Sequence, residues 1–272
     1  MLNLCHNKLN TQSRKTMFLT LNAFISMTFR EAIRNKILYG IGFFAIAIFL
    51  FSLVLGELSL YEQERVIRDV GMTFMMLMGI ALAMYTGIGQ IHREIDRRII
   101  YTILSKPVRR YQIVIGKFLG IAVTLFVEML AMFAIFLALL AIRGMVIDPT
   151  LFEAFWLTYM ESLVVAAAAL MFSTFSSAML STLMCTGFVL LASLYPQIGF
   201  YAEREKAAEI SAAMHAAQFL LPNFGHFDVS TQVSYAIEIP LSHVGWSTLH
   251  GLTYIVVLIS IAAIVMEKRD FV

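Results

Sequence analysis

Charge is scarce in this chain. Only 14% of its 272 residues are Asp, Glu, Lys or Arg, against about 25% in a soluble domain. With 60% apolar residues and a mean hydropathy of +0.80, no single core could hide this much apolar surface from water, so lipid must solvate most of it. The net charge of +2 is too small to point to a nucleic acid partner. Cysteine is nearly absent as well: Cys5 lies in a polar tail and Cys185 in an apolar run, which excludes a disulfide framework and any C-x-x-C metal site. The phosphate-binding pattern G-x-x-x-x-G-K-[ST] is missing. Gly116-Lys117 lacks the earlier glycine and is followed by Phe118, so nucleotide hydrolysis is not expected on this chain. Neither a G-x-S-x-G elbow nor an H-E-x-x-H helix is present. Residues 1–16 are polar and basic without the short apolar core of a secretory leader, so no cleavable leader is expected.

Long apolar runs are what the chain does have. A helix needs about 20 apolar residues to cross a bilayer core of about 30 Å. Six stretches qualify: Ile37–Leu55, Gly71–Ile91, Ile113–Ile142, Phe155–Phe175, Ala178–Phe200 and Ser247–Met266. The fourth and fifth are separated by no charge, and together they are about twice the length a bilayer needs. A tight turn at Ser173–Ser177 is therefore expected. The fold class is all-α, a polytopic membrane protein with six transmembrane helices.

The basic residues set the orientation. If the N-terminus is cytoplasmic, fifteen of the twenty fall on the cytoplasmic side: six within 1–36, seven within 92–117, and Lys268 with Arg269. Arg65, Arg68, Arg143, Arg204 and Lys206 remain outside. Both termini are expected in the cytoplasm.

Three segments outside the spans have character of their own. Residues 17–36 place Phe18, Leu21, Ile25, Phe29 and Ile33 at helical spacing beside Arg30, Arg34 and Lys36, the pattern of an amphipathic helix lying in the membrane interface. A cytoplasmic extension of the first span is the alternative. The largest external segment, 201–246, begins helix-prone, is interrupted at Pro222 and continues with turn chemistry at Asn223, Gly225 and Asp228. Its mildly amphipathic part, Ala207–Leu221, either dips into the membrane or packs over the outer mouth. The loop 92–117 keeps Ile95, Ile99, Ile103 and Leu104 on one helical face, with Arg93, Glu94, Asp96, Arg97 and Arg98 on the others, until Pro107 stops the helix. Such an element suits docking into a groove on a soluble partner. The plainer alternative is a topology anchor that binds anionic lipid. Gly116 and Gly120, one turn apart at the head of the third span, would admit a neighbouring helix closely.

Glu128 and Glu161 are carboxylates within spans, and an intramembrane charge is a functional candidate by default. They either bind a cationic or polar group, or protons, along a pathway, or hydrogen-bond neighbouring helices. The third option, paired catalytic groups at one depth, is weaker. Met72, Met75 and Met76 share a face and could bind a soft metal, but methionine also packs irregular cores. His215, His226 and His243 match no metal spacing and read as solvated or capping residues.

The run Glu94…Arg97-Arg98…Ile103-Leu104-Ser105-Lys106-Pro107-Val108-Arg109-Arg110…Gly116-Lys117 resembles the cytoplasmic loop of ABC-2-type permeases. The amphipathic segment ahead of the first span, the Leu221-Pro222-Asn223-Phe224 run with Asp228, and the closing Glu267-Lys268-Arg269-Asp270-Phe271 are similar to further family features in the same order. The resemblance covers 17–272 as one permease domain and leaves 1–16 as a polar cytoplasmic tail. It implies the membrane subunit of a bacterial inner-membrane ABC transporter, an exporter that pairs with a second copy or a homologous permease. ATP and Mg would bind a separate ATPase subunit, and this chain would hold no cofactor. Loop 92–117 becomes a coupling helix, with Glu94, Arg97, Arg98, Lys106 and Arg109 as ATPase-contact candidates. A second reading within the same resemblance is a membrane component of a cofactor or metalloenzyme maturation complex, with segment 201–246 docking a periplasmic protein.

Overall fold

The computed structural model describes residues 41–44, 46–48, 50–51, 54, 63–96, 110–194, 221–235 and 237–268. The described residues within 41–54 are helical. The helices that follow are α1 (Gln63–Asp96), α2 (Arg110–Ile142), α3 (Thr150–Phe175) and α4 (Ala178–Ser193). A 3₁₀ turn at Phe224–His226, the short α5 (Ser230–Ser234) and α6 (Leu241–Lys268) complete the order. Four of these, α1, α2, α3 and α6, are long and apolar enough to cross a membrane, while α4 is a shorter apolar helix of 16 residues. Every regular element among the described residues is helical. The expected amphipathic helix at 17–36 lies outside the described residues, as does segment 201–220.

α3 is the central helix. Of its apolar window 89% is buried, against 44% for α1 and α2 and 33% for α6. It carries no separate polar face: 20 of its 26 residues are buried, including the whole run Leu163–Leu170. A helix enclosed on all sides must be apolar or small all round. Its few hydroxyls return to the carbonyl one turn back, Thr158 Oγ1 to Ala154 O at 2.8 Å and Ser162 Oγ to Thr158 O at 2.9 Å, which satisfies them without a partner helix.

Contacts fix the relative directions. α1 runs parallel to α3, since Gly79 meets Ser162 and Gly87 meets Ala169. α6 is also parallel to α3, with Trp156 donating to Thr248 at 3.0 Å and Gly251 facing Val164. α2 is antiparallel: Tyr159 donates to Ala122 O at 3.1 Å, and Phe133 stacks on Phe155 at 4.7 Å. The end of α1, the start of α2, the α3–α4 turn and the end of α6 therefore share one end of the bundle. The 143–149 turn and the starts of α3 and α6 share the other.

The turn between α3 and α4 is tight, as the sequence requires. α3 ends at Phe175, Ser176 and Ser177 are extended, and α4 starts at Ala178. The two serines use their polarity to close it, with Ser176 Oγ 2.8 Å from Phe172 O and 2.6 Å from Ser181 Oγ. α2 ends differently. Gly144 sits at φ +70°, Met145 donates to Leu140 O and Gly144 to Ala141 O, the paired bonds by which a glycine in left-handed geometry caps a helix.

The α1–α3 contact is close because Gly79 and Gly87 face it. A Cβ at Gly87 would lie 2.7 Å from Ala169 Cβ and 3.0 Å from Ala166 O, neither of which is the end of a flexible side chain. Gly87→Ala should therefore cost about 1–3 kcal/mol of overpacking, and Gly87→Leu more. Thermal unfolding in detergent micelles checks this, because an unchanged midpoint for the leucine variant would mean that the helices are not in contact there.

Candidate functional site: the α6 polar stripe and the buried carboxyls

One face of α6 carries a polar stripe. His243, Ser247, His250 and Tyr254 are spaced 4, 3 and 4 residues apart, which stacks them on one helical face. Each bonds the main chain of the irregular segment 221–226. His243 Nε2 lies 3.1 Å from His226 O, and Ser247 Oγ donates to the same oxygen at 2.9 Å. Asn223 N–H donates to His250 Nε2 at 3.3 Å, and Tyr254 donates to Leu221 O at 3.0 Å. Tyr254 lies 13 residues beyond Leu241, or about 20 Å along the helix axis. Non-helical backbone at such depth must be satisfied by protein, and the stripe does that.

Apolar contacts complete the seat. Phe224 packs edge-on against Phe188 of α4 and against Phe227, and Phe227 and Val164 both face Gly251. The turn is closed from within: Asn223 Oδ1 accepts from Gly225 N–H at 3.0 Å, and Asp228 Oδ1 accepts from Ser230 N–H and from its hydroxyl. Asn223, Gly225 and Asp228 thus act as the turn residues the sequence indicated, while the helix expected before Pro222 lies outside the described residues. The segment then reaches α1, where Ser234 donates to Asp69 at 3.2 Å and Arg65 bonds the Tyr235 hydroxyl and lies over its ring. The ring of His226 stands 5.3 Å from His250 and 6.5 Å from His243. Partial burial, and then the neighbouring His243, hold His226 below the usual histidine range. Removing a single pin should cost about 1 kcal/mol. We expect Ser247→Ala and Tyr254→Phe each to speed hydrogen exchange at Asn223–Phe227 while leaving α3 protected.

Glu128 and Glu161 are both interior, each 2% exposed. Neither carboxyl oxygen of Glu128 has a hydrogen-bond partner among the described residues, and Oε1 of Glu161 has none. The residues next to them, Met129 and Ser162, meet at Gly79, so the two carboxyls lie at similar levels of the bundle. The electrostatic neighbour of Glu161 is Asp228, on the segment just described. Glu128→Gln, which keeps the shape of the neutral acid, should insert and fold, whereas Glu128→Lys should not, because a buried unpaired cation costs several kcal/mol. Monodisperse yield from membranes distinguishes the two.

Gly116 and Gly120 are buried in α2. Glu94 falls in the last turn of α1, and Arg97, Arg98, Lys106 and Arg109 lie outside the described residues. Connection 97–109 joins α1 to α2 at the end of the bundle that carries the α3–α4 turn. Met72 and Met75 are core residues, and Met76, Met78 and Met84 are partly buried against the core. Cys185 is buried against Val165 O.

At the opposite end, Arg68 of α1 is 3% exposed and bonds Asp148 and Glu64, each at 2.5 Å, and Val146 O at 2.7 Å. Beside it lies an acid-lined cavity of about 610 Å³ bounded by Asp148, Thr150, Glu153 and Glu238. Glu153 occupies the first turn of α3, where a negative charge complements the helix N-terminus.

A family model described as ABC-2 family transporter protein matches residues 23–271. The chain belongs to that family. No curated protein matches it. As an ABC-2 family member it is a multi-pass membrane component of an ABC transporter, non-catalytic itself and served by a separate ATPase subunit. The bundle, the basic connection and the stripe on α6 are parts of an ABC-2 permease.

Proposed function

We propose that this ABC-2 permease is the membrane subunit of an exporter, working as a pair of copies whose interface forms the path. Six spans would place both termini and connection 97–109 in the cytoplasm, and fifteen of twenty basic residues on that side support the orientation. The observation that carries the reading is the family match over nearly the whole chain. It is joined by the basic connection, bounded by α1 and α2, at one end of the bundle. Glu94, Arg97, Arg98, Lys106 and Arg109 would contact the ATPase there, with ATP and Mg bound on that partner.

The mechanism is a shift between conformations, with no covalent step on this chain. ATP binding and hydrolysis change the contacts at the coupling segment, and only contacts that differ between states can move the equilibrium. Glu128 and Glu161 then act as interior polar groups of each copy, because both are enclosed within one protomer. Co-purification with its partner ABC ATPase, followed by a search for compounds that stimulate ATP hydrolysis in nanodiscs, tests the reading. Failure to associate with that ATPase in any nucleotide state would overturn it.

A further inference from the structure

The segment 221–228 is held to α6 by a bond that exists in only one protonation state. A backbone N–H can only donate, so the contact between Asn223 N–H and His250 Nε2 requires that nitrogen to be a bare acceptor. A protonated imidazole donates from both nitrogens and would face the Asn223 N–H with a hydrogen. We propose that segment 221–228 is an acid-released element, unseated from α6 when the His250 ring gains a proton.

The surroundings favour release once that proton arrives. Among the described residues the titratable groups beside the ring are His226 on the segment and Tyr254 on α6, its ring 5.0 Å away, with His243 two turns back on α6. His226 is the nearest histidine, its ring 5.3 Å away, so a second proton there would set like charges side by side. The Asp228 carboxylate is engaged by the Ser230 N–H and hydroxyl, and the Tyr254 hydroxyl by Leu221 O. His243 binds the His226 carbonyl. Seating is therefore complete with neutral rings, above the ordinary histidine pKa of about 6.5, and weakens as pH falls below it. Seating also brings the charge of Asp228 within electrostatic reach of the Glu161 carboxyl, so release changes the electrostatic surroundings of the central helix. The segment leads through α5 to the α1 contacts at Asp69 and Arg65, which gives its movement a route to a second long helix.

The test measures position, independently of proton chemistry. In the full chain in nanodiscs, with Cys5→Ser and Cys185→Ala, spin labels are placed at Gly225→Cys and Met179→Cys, both solvent- or lipid-exposed positions. Distances are compared at about pH 8 and about pH 5, on either side of the ordinary histidine pKa of about 6.5. The expected result is one narrow distance distribution at the higher pH and a second, displaced component that grows at the lower. His250→Gln offers a neutral amide oxygen at both pH values and should stay in the narrow distribution. The double variant His226→Gln, His243→Gln keeps the His250 ring and should retain the transition. A wild-type distribution that does not change with pH overturns the proposal, as does an unaltered transition in His250→Gln. If His250→Gln fails to incorporate, loss of the transition in the double variant overturns it instead.

Discussion

Reversing both charges at Arg97 and Arg98 is expected to separate this permease from its ATPase. The two arginines follow directly on α1 and precede Pro107 in the sequence. A basic surface that docks in a groove gains specificity from complementary acidic groups. Placing acids against acids costs several kcal/mol, and cutting one desolvated pair costs about 2–5 kcal/mol. Arg97→Glu with Arg98→Glu should therefore weaken co-purification more than tenfold, since about 1.4 kcal/mol already corresponds to tenfold. Transport and its stimulation of ATP hydrolysis should fall by at least as much. Arg143→Glu provides the control, because that basic residue lies at the opposite end of the bundle, just past α2. It should leave association unchanged. If the double reversal leaves both association and transport intact, the connection is only a topology anchor and the coupling assignment fails.

The long helices were legible because lipid enforces length: runs of about 20 apolar residues can hardly be anything else. Their ends were less so. Residues 63–70, read as external loop because Glu64, Arg65, Arg68 and Asp69 are charged, form the first two turns of α1. The Glu64–Arg68 spacing is the helical signal that was present, but the acid that completes the pairing, Asp148, is 80 residues away in sequence. Ala178–Phe200 was read as one span, whereas α4 runs to Ser193. Among the described residues four helices are long and apolar enough to span; parts of Ile37–Leu55 and residues 195–200 lie outside those residues.

Which helix lies at the centre could not be read from hydropathy, and the reason is physical. α3, the most buried, has a mean hydropathy of 1.6, while α2 and α6, with far more exposed surface, reach 2.7 and 2.3. In a bilayer the surface facing lipid must be apolar, whereas contacts between helices favour small and weakly polar residues. The Ala166–Ala169 run, Ser162 and Thr158 of α3 are that interior signature. The stripe at 243, 247, 250 and 254 was also visible as a spacing. Its meaning depended on where the irregular backbone of 221–226 would lie, which no local pattern encodes. Histidines 226 and 243, read as solvated or capping, proved to be a main-chain acceptor site and one of its pins.

Arg68 should show the second large effect, and the partner removed decides its size. The guanidinium is 3% exposed, Asp148 25% and Glu64 50%. Deleting an acid leaves a buried cation partly uncompensated, whereas deleting the arginine leaves two carboxylates that water can still reach. Breaking a buried pair from the side that strands a charge costs about 3–5 kcal/mol. Asp148→Asn should therefore destabilise the protein by about 3 kcal/mol, at the lower end of that range because Asp148 is itself part-exposed. Glu64→Gln, at the half-exposed partner, should cost no more than about 1 kcal/mol. Arg68→Met removes the stranded charge, so in the Asp148→Asn background it should recover part of the loss. The result is a non-additive cycle with a coupling of about 1–3 kcal/mol. Denaturation in detergent micelles measures each corner. Additive losses would show that Arg68 and Asp148 do not act as a unit. The recovery predicted here would instead fix the start of α1 to the α2–α3 turn, beside the acid-lined cavity and the α1 residues that receive segment 230–235.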